Sequence, residues 1–453
     1  MFFDRAFAHL HIPGTPIFIA EPILALGLVL LVNSVEGRRL LKFSAPVRAL
    51  VGFMAWGFVL LAFWVFEYGV DAVQDSALWY YGLFAIVVAA LILANHDLLD
   101  KLIPIYAGAL AVFAVVAWVR LSMATNQGAL IPDTNVEWTG HRQGNIGIHA
   151  AVGFAFALLI LAPYLAERME RTRAITWTAA LAIPLLVLYF GAGTQNRGGL
   201  VAGFFVIIGV PMVARKFGPA MAVVAVALLA LFAALYISDV SFDLGRRGRL
   251  LSVRTIVENI VSVQEGEDTG RINFWEPVVD DIFTQENFLV GLGFGENLGD
   301  RYEFSDLRKR EANPLRNVHN SHLNVLARMG VIGAGFWVAV WGFWYFHLFR
   351  ARSRLRMVDS PRRAAYLSWA MLAAAAMLIN AFFDGTLEGP QAAVWLWAVF
   401  GLGAAIAMET NMREWRRRRA GAGEITREGG EDNPLELTMG QLKRASKRSR
   451  RGY

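Results

Sequence analysis

TGRINFWEPVVDDIF (residues 269–283), GLGFGENLG (291–299) and NPLRNVHNSHLNVLARMGVIG (313–333) belong to one long segment that carries many charged and aromatic residues. Apolar runs of about twenty residues, the length with which a helix crosses a bilayer, lie on both sides of this segment. It therefore separates two hydrophobic parts of the chain. Any chemistry should be located in this segment or in whatever faces it.

The composition indicates a membrane protein. The chain is 56% hydrophobic and 18% charged, with a mean hydropathy of +0.43, which is too apolar for a water-soluble globule. The apolar runs are continuous, unlike the alternating segments of about ten residues that form transmembrane β-barrels. There is no cysteine, so disulfides, a thiol nucleophile and thiolate metal sites are excluded.

Apolar runs of spanning length predict an all-α polytopic membrane protein with about eleven transmembrane helices, within a range of about ten to twelve. One large loop with short helices interrupts them. The runs lie near residues 16–33, 46–66, 77–94, 102–119, 146–166, 174–192, 198–214, 218–237, 331–349, 364–383 and 390–408.

The positions of the basic residues predict the orientation. Lysine and arginine favour short cytoplasmic loops, and basic clusters such as Arg168–Arg173 and Arg350–Arg356 follow odd-numbered spans. The connections after even-numbered spans, such as residues 67–77 and 385–389, are acidic or neutral. Membrane topology thus explains the net charge of +6, and nucleic-acid binding is not needed to account for it. We expect a bacterial inner-membrane protein with a periplasmic loop and a cytoplasmic C-terminus.

Four regions follow from this pattern. They are the first eight spans (1–237), a periplasmic loop (238–320), the last three spans (321–410) and a basic, disordered cytoplasmic tail (411–453) whose charges can contact anionic lipids.

Two arginines are candidates for binding phosphate. Arg197, followed by two glycines, opens an apolar helix, where the free N–H groups favour anions. Arg271 opens a predicted amphipathic helix over residues 272–283, whose apolar positions include Trp275. Considered alone, each arginine is explained better as a solvated residue at the membrane surface. The GLGFGEN sequence has no strand before it and no phosphate-loop lysine, which favours a turn over a nucleotide site.

A second group of candidates lies immediately before the ninth span. His319 can act as a general base near neutral pH. The pair of His319 and His322 could also bind a metal, but no HExxH pattern is present. Asp384 and Glu388 lie at the outer end of the tenth span, where an acid is costly unless it is paired or hydrated. Either acid could orient His319 or an arginine.

Taken in order, these elements resemble the O-antigen ligase superfamily. The resemblance rests on the arginine of TQNRGGL (194–200), the long loop with GRINFWEPVVDDIF, the pair His319-Asn320 followed after nine residues by Gly330-Val331-Ile332-Gly333, and the acid at Asp384. It covers residues 190–390, and the histidine-to-glycine spacing is its most specific part.

The resemblance implies inverting glycosyl transfer from undecaprenyl diphosphate, without metal or other cofactor. Arg197 and Arg271 would hold the diphosphate and His319 would activate the acceptor hydroxyl. Further substrate contacts are expected from Arg316, Asn320, Asp384 and Trp275. Two guanidinium groups can stabilise a diphosphate leaving group without a metal ion.

The sequence does not identify the acceptor, so two activities remain as alternatives. A ligase transfers the glycan to the lipid A core, whereas a polymerase transfers it to the next lipid-linked unit; the histidine motif favours a ligase. A lipid-linked sugar transporter is the alternative from another class. A transporter should have charged or helix-breaking residues deep in several spans, and the predicted spans are almost purely apolar.

Overall fold

A computed structural model of the chain describes residues 10, 19–32, 34–122, 143–193, 196–214, 234, 236–238, 241–243, 250–252, 269–284, 287–302, 316–357 and 360–425. The chain divides into two compact units, Met1–Glu409 and Thr410–Tyr453. The second unit is helical over its described residues, 410–425. The predicted tail otherwise lies outside the described residues.

The described residues are almost entirely helical, which confirms the predicted fold class at that level. The helices are α1 (Ala20–Val32), α2 (Val35–Phe43), α3 (Ala45–Tyr68), α4 (Val70–Asp75), α5 (Ala77–Tyr80), α6 (Leu83–Ala94), α7 (Leu98–Ser122), α8 (Gln143–Phe156), α9 (Ala162–Ala166), α10 (Arg171–Gly193), α11 (Arg197–Val213), α12 (Thr269–Thr284), α13 (Leu298–Arg301), α14 (Ser321–Met357), α15 (Pro361–Phe383) and α16 (Pro390–Ile425). A π-helical segment (Ala157–Leu161) joins α8 to α9, and a 3₁₀ turn (Thr386–Glu388) precedes α16. One antiparallel strand pair, β1 (Ser241–Asp243) and β2 (Leu250–Ser252), completes the described structure.

The described residues contain fewer candidate spans than the eleven predicted for the whole chain. Seven helices in the described part of the chain are long and apolar enough to cross a membrane, or nine if each of two bent pairs is one span. The bent pairs are α1 with α2 (86°) and the Val70–Tyr80 region with α6 (41°), at the predicted first and third spans. Helix α11 is apolar but short, and the predicted span 218–237 lies mostly outside the described residues. Eleven spans are therefore not confirmed.

Helices α8, α15 and α16 form the interior of the bundle. In the most apolar windows of Gly144–Ala166, which continues α8 to the end of α9, of α15 and of α16, 83%, 72% and 78% of residues are buried, compared with 22% in α7. Helix α8 packs against α10 and α11, α11 packs against α15, and α14 packs against α3 and α15. The exposed apolar residues of the outer helices are those expected to face lipid.

An ion-pair cluster distinguishes the two ends of the bundle. Arg362, in the first turn of α15, binds Asp100 at 2.6 Å and also pairs with Glu167. The connections before α7 and α15 and after α9 therefore meet at one end. Since α15 runs from this end to Phe383, Asp384 lies at the opposite end.

Helix α14 is broken at Gly330. This residue has φ 63° and ψ −170°, a combination that is essentially restricted to glycine. The break removes the normal helical partners of the neighbouring backbone groups, and each such group buried without a partner would be costly. A conformation of this kind inside an apolar helix needs partners from elsewhere in the fold.

The GLGFGEN loop supplies those partners. The N–H of Leu292 donates to the Ala327 carbonyl at 2.7 Å, and the N–H of Gly293 donates to the Arg328 carbonyl at 3.1 Å. In the other direction, the N–H of Val331 donates to the Phe288 carbonyl at 3.0 Å. The indole N–H of Trp56 on α3 donates to the Met329 carbonyl, also at 3.0 Å.

Two local predictions are confirmed here. The GLGFGEN sequence is a turn region, with positive φ at Gly291, Gly293 and Gly295. The amphipathic helix predicted over residues 272–283 is α12, which buries Val278 and Ile282 completely. Phe283 departs from the expected apolar face, since 54% of it is exposed.

Replacing Gly330 by alanine should destabilise the protein by about 1–3 kcal/mol from backbone strain alone. A Cβ at this position would also collide with the Leu289 carbonyl. Gly335 on the same helix has nothing within 4 Å of a built Cβ, so Gly335→Ala should be neutral or slightly stabilising. Thermal unfolding in detergent measures both variants, and equal midpoints would contradict the assigned role of Gly330.

Candidate functional site

His319 lies in a strained turn just before α14. Its φ of 51° makes it the only non-glycine residue with positive φ in the described part of the chain, at a cost of roughly 1–2 kcal/mol for an L-residue. Its Nδ1 lies 3.5 Å from Oδ1 of Asp384, and a third of its side chain is exposed. The structure thus places the predicted base beside the predicted acid.

Asn320 explains why α14 begins where it does. The side-chain oxygen of Asn320 accepts hydrogen bonds of 3.0 Å from the N–H groups of His322 and Leu323. This is the capping contact that starts a helix. Asn320 is itself 3% exposed, so its position directly after His319 fixes the end of the turn.

The turn over residues 384–389 is attached to the same place. The Ser321 hydroxyl donates to the Asp384 carbonyl and accepts from the N–H of Leu387, both at 3.3 Å. The amide nitrogen of Asn317 donates to Oε2 of Glu388. Both acids of this turn are therefore held against residues 317–321.

Arg197 opens α11 next to the end of α15. The Asn196 side chain caps the helix by accepting from the N–H of Gly199 at 2.7 Å. A Cβ on Gly198 would lie 2.8 Å from Cβ of Phe383, and one on Gly199 would lie 2.7 Å from the carbonyl oxygen of Gly144. The two glycines after Arg197 are thus required by close packing, and they place its backbone near the residue that precedes Asp384.

Arg271 lies in the first turn of α12, one turn before Trp275. The Trp275 indole N–H donates to the Val318 carbonyl at 3.0 Å, and its ring packs on Phe382 with centroids 5.4 Å apart. Val318 precedes His319, and Phe382 lies near the end of α15. The backbones of Arg197, Arg271 and His319 therefore converge on one end of the bundle.

Three residues predicted to bind substrate have partners within the protein. Asn320 caps α14, Trp275 joins α12 to residue 318, and Arg316 pairs with Asp71 at 3.0 Å and donates to the Gly295 carbonyl at 2.7 Å. These contacts position the site. A substrate contact for each of the three stays a prediction.

Sequence reasoning missed a buried ion pair beneath the site. Arg328 is 1% exposed, and its Nη2 lies 3.0 Å from Oδ2 of Asp75. The guanidinium also donates to the carbonyls of Gly293, Glu296 and Arg316. An arginine within an apolar run was a visible signal, but its acid lies on α4, in a distant part of the sequence.

The sequence places Asn317 among the polar candidates immediately before the ninth span, but no role was predicted for it. It precedes His319 by two residues, and its side chain contacts both the His319 backbone and Glu388. Since asparagine is common in turns, the sequence offered no signal that would distinguish this residue.

His322 cannot serve as a metal ligand in this arrangement. The indole N–H of Trp337 donates to Nδ1 of His322 at 3.0 Å. The proton of the neutral ring is therefore on Nε2, which donates to the Leu378 carbonyl at 2.8 Å. Both ring nitrogens are occupied. Among the described residues no group of three histidine, aspartate or glutamate side chains could hold a metal ion.

Glu388 has an unusual environment. Burial raises the pKa of its carboxyl to about 8, against the opposing effect of Arg328. The residue as a whole is partly exposed, but Oε1 is buried without a hydrogen-bond partner. Burial therefore favours the protonated form of this carboxyl.

Comparison with known families identifies the middle of the chain. Residues 179–338 match the family model described as O-antigen ligase. This part of the chain is similar to the O-antigen ligase family. The superfamily resemblance predicted from the sequence is thereby confirmed over these residues, and the apolar helices together with this match indicate an integral membrane protein. No curated protein matches the chain.

The O-antigen ligase match contains part of the site. It includes Arg197, Arg271, His319 and Gly330, whereas Asp75 and Asp384 lie outside it. The structure brings these two acids to the matched segment through Arg328 and His319. Helices on both sides of the family domain therefore complete the arrangement.

Replacing Asp75 by asparagine should destabilise the protein strongly, by about 3–5 kcal/mol, because the buried Arg328 loses its counter-charge. Asp71→Asn is the matched control. The Asp71 side chain is 50% exposed, compared with 11% for Asp75, so its loss should cost about 0–1 kcal/mol. Thermal unfolding in detergent measures the stability of both variants. Equal losses of stability in Asp75→Asn and Asp71→Asn would contradict a dominant Asp75–Arg328 pair.

Proposed function

We propose that this protein transfers a glycan from undecaprenyl diphosphate to an acceptor hydroxyl on the periplasmic side of a bacterial inner membrane. Within the family we assign it as an O-antigen ligase, with the lipid A core as acceptor. The observation that carries this proposal is the His319–Asp384 pair at 3.5 Å, where the helices that begin near Arg197 and Arg271 converge.

His319 acts as the general base in this mechanism. Asp384 lies beside Nδ1, which favours the tautomer with a proton on Nδ1 and a free lone pair on Nε2. Nε2 removes the acceptor hydroxyl proton as the oxygen attacks the anomeric carbon, and Asp384 stabilises the resulting imidazolium. A positioned base of this kind typically contributes about 10²–10⁴-fold to the rate.

Arg197 and Arg271 bind the diphosphate. As the new glycosidic bond forms, the bond from the anomeric carbon to the diphosphate oxygen breaks, and its electron pair leaves with the carrier. Guanidinium groups stabilise this charge through bidentate hydrogen bonds. The N-terminus of α11, where Arg197 lies, adds partial positive charge of the correct sign. Attack opposite the leaving group inverts the anomeric configuration.

Charge distribution supports a periplasmic site. The basic connections that carry Arg168, Arg171 and Arg362 meet at the end of the bundle opposite Asp384. Basic loops favour the cytoplasm, so the His319 end faces the periplasm and the C-terminus the cytoplasm. The span interiors are almost purely apolar in sequence, which suits an enzyme that acts at one end better than a transporter with polar groups along its path.

His319→Ala, Arg197→Ala and Arg271→Ala should each fail to restore glycan transfer in a deletion strain. Arg39→Ala, whose side chain is 53% exposed and lies beside Glu36 on α2, should restore it. The lipopolysaccharide pattern on a gel measures transfer, and immunoblotting confirms equal amounts of protein. Restoration by any one of the three site variants would remove its assigned role.

The pattern of the deletion strain identifies the acceptor. Lipid A core without glycan indicates a ligase, whereas one repeat unit on each core indicates a polymerase. An unchanged pattern would exclude both and point to another polysaccharide or to a protein acceptor.

Transfer should not depend on a divalent metal ion, because the two guanidinium groups neutralise the leaving group. The purified protein in liposomes, supplied with membrane lipid extract from the deletion strain, should transfer at an unchanged rate in excess EDTA. Loss of transfer in EDTA and its recovery on adding Mg²⁺ or Mn²⁺ would contradict the two-arginine mechanism.

A further inference from the structure

A chain of hydrogen bonds connects Glu388 to the backbone of His319. The N–H of His319 donates to the side-chain oxygen of Asn317 at 3.1 Å. The amide nitrogen of Asn317 donates in turn to Oε2 of Glu388. Because the His319 N–H can only donate, the Asn317 oxygen must face it and the NH₂ group must face Glu388.

This chain acts on the strained residue of the site. His319 has the unfavourable φ of 51°, and such a conformation persists only where the surroundings hold it. Asn320 fixes the chain after His319 by capping α14. Asn317 fixes the chain before it, so the strained residue is held from both sides.

The Asn317 side chain is closely confined. A Cβ built on Gly385 would lie 2.9 Å from the Asn317 amide nitrogen. Gly385 follows Asp384 directly, so the turn that presents Asp384 to the imidazole also encloses the amide. The same short turn therefore contacts His319 twice, through Asp384 at the ring and through Glu388 and Asn317 at the backbone.

We propose that Asn317 and Glu388 are positioning residues that hold His319 in its left-handed conformation, with the ring beside Asp384 and Nε2 directed to the acceptor. This inference rests on the proposed role of His319 as the base. It adds two residues that do not touch the substrate and act through His319.

The environment of Glu388 makes the inference testable. The charged groups that influence it are Arg328, Asp75 and Asp384, and its burial, which raises the pKa, keeps the carboxyl protonated up to a pH of about 8. Asn317 can donate to the protonated or the ionised carboxyl, so the native pair works in both states. An acid at position 317 has no proton to donate and would depend on the proton of Glu388.

In the Asn317→Asp variant, the rate of transfer should therefore fall at alkaline pH, which gives its pH profile an alkaline limit that the native profile lacks. Below the pKa of Glu388, its O–H donates to the introduced carboxylate and the chain to His319 is kept. In this variant the pKa of Glu388 lies above its native value, because the hydrogen bond from Asn317 that lowers it is lost and the introduced carboxylate raises it. As the pH rises through this higher pKa the proton is lost, two carboxylates face each other, and transfer should fall about tenfold relative to the native profile. In Asn317→Asp/Glu388→Gln, the introduced amide donates at every pH, and the new limit should disappear.

The assay uses the full-length protein in liposomes, with lipid extract from the deletion strain as the source of donor and acceptor. Asn317→Ala should lower kcat by about 10–100-fold, part of what an aligned base contributes, with KM for the donor changed less than about twofold. Glu276→Gln, at an exposed position on α12, is the acid-to-amide control. Thermal midpoints in detergent show that each variant is folded.

The results separate this inference from the proposed function. A native pH profile for Asn317→Asp, or an alkaline limit that persists in the double variant, overturns the positioning role. Native kcat in Asn317→Ala overturns it as well. If His319→Ala transfers normally, the proposed base itself is wrong, whatever the Asn317 variants show.

Discussion

The break in α14 at Gly330 is the constraint on which the rest of the structure depends. A helix that ends and restarts inside an apolar bundle leaves backbone groups that water cannot reach. Here residues 288–293 pair with those groups on both sides of the break, and Trp56 pairs with the Met329 carbonyl. These hydrogen bonds fix the position of the loop along α14. Arg328, adjacent to the break, then binds the carbonyls of Gly293 and Arg316 and joins both to Asp75.

The position of His319 follows from this attachment. Nine residues separate Asn320 from Gly330, which at about 1.5 Å per helical residue places the start of α14 roughly 15 Å from the break. The loop must bridge that distance, and α12 fills it by packing Val278 and Ile282 against Leu298 and Ala327. The spacing between the histidine and the glycine is thus a length requirement as well as a family signature.

Sequence reasoning succeeded where the signal was local. Helical periodicity located α12, and Arg197 was correctly predicted to open an apolar helix, whereas the close packing of the next two glycines on Phe383 and Gly144 became visible only in the structure. The interactions that were missed join residues far apart in the sequence. Arg316 and Asp75 are separated by 241 positions, and Asn317 and Glu388 by 71 positions. No periodicity or spacing reports such a pair. The predicted count of eleven spans is not confirmed, because α11 is short and most of residues 218–237 lie outside the described part of the chain.

The ion pair between Asp75 and Arg328 has a consequence for biogenesis. During synthesis α4 emerges long before α14, so the Asp75 carboxylate must wait in or near the membrane without its guanidinium. Residues 67–77 are predicted to form a connection between spans, where water or lipid headgroups can solvate the unpaired carboxylate until α14 is inserted. The ion pair that joins α4 to α14 can therefore form only when the second hydrophobic part of the chain arrives. The support beneath the loop is completed late in synthesis, together with the residues of the site that α14 carries.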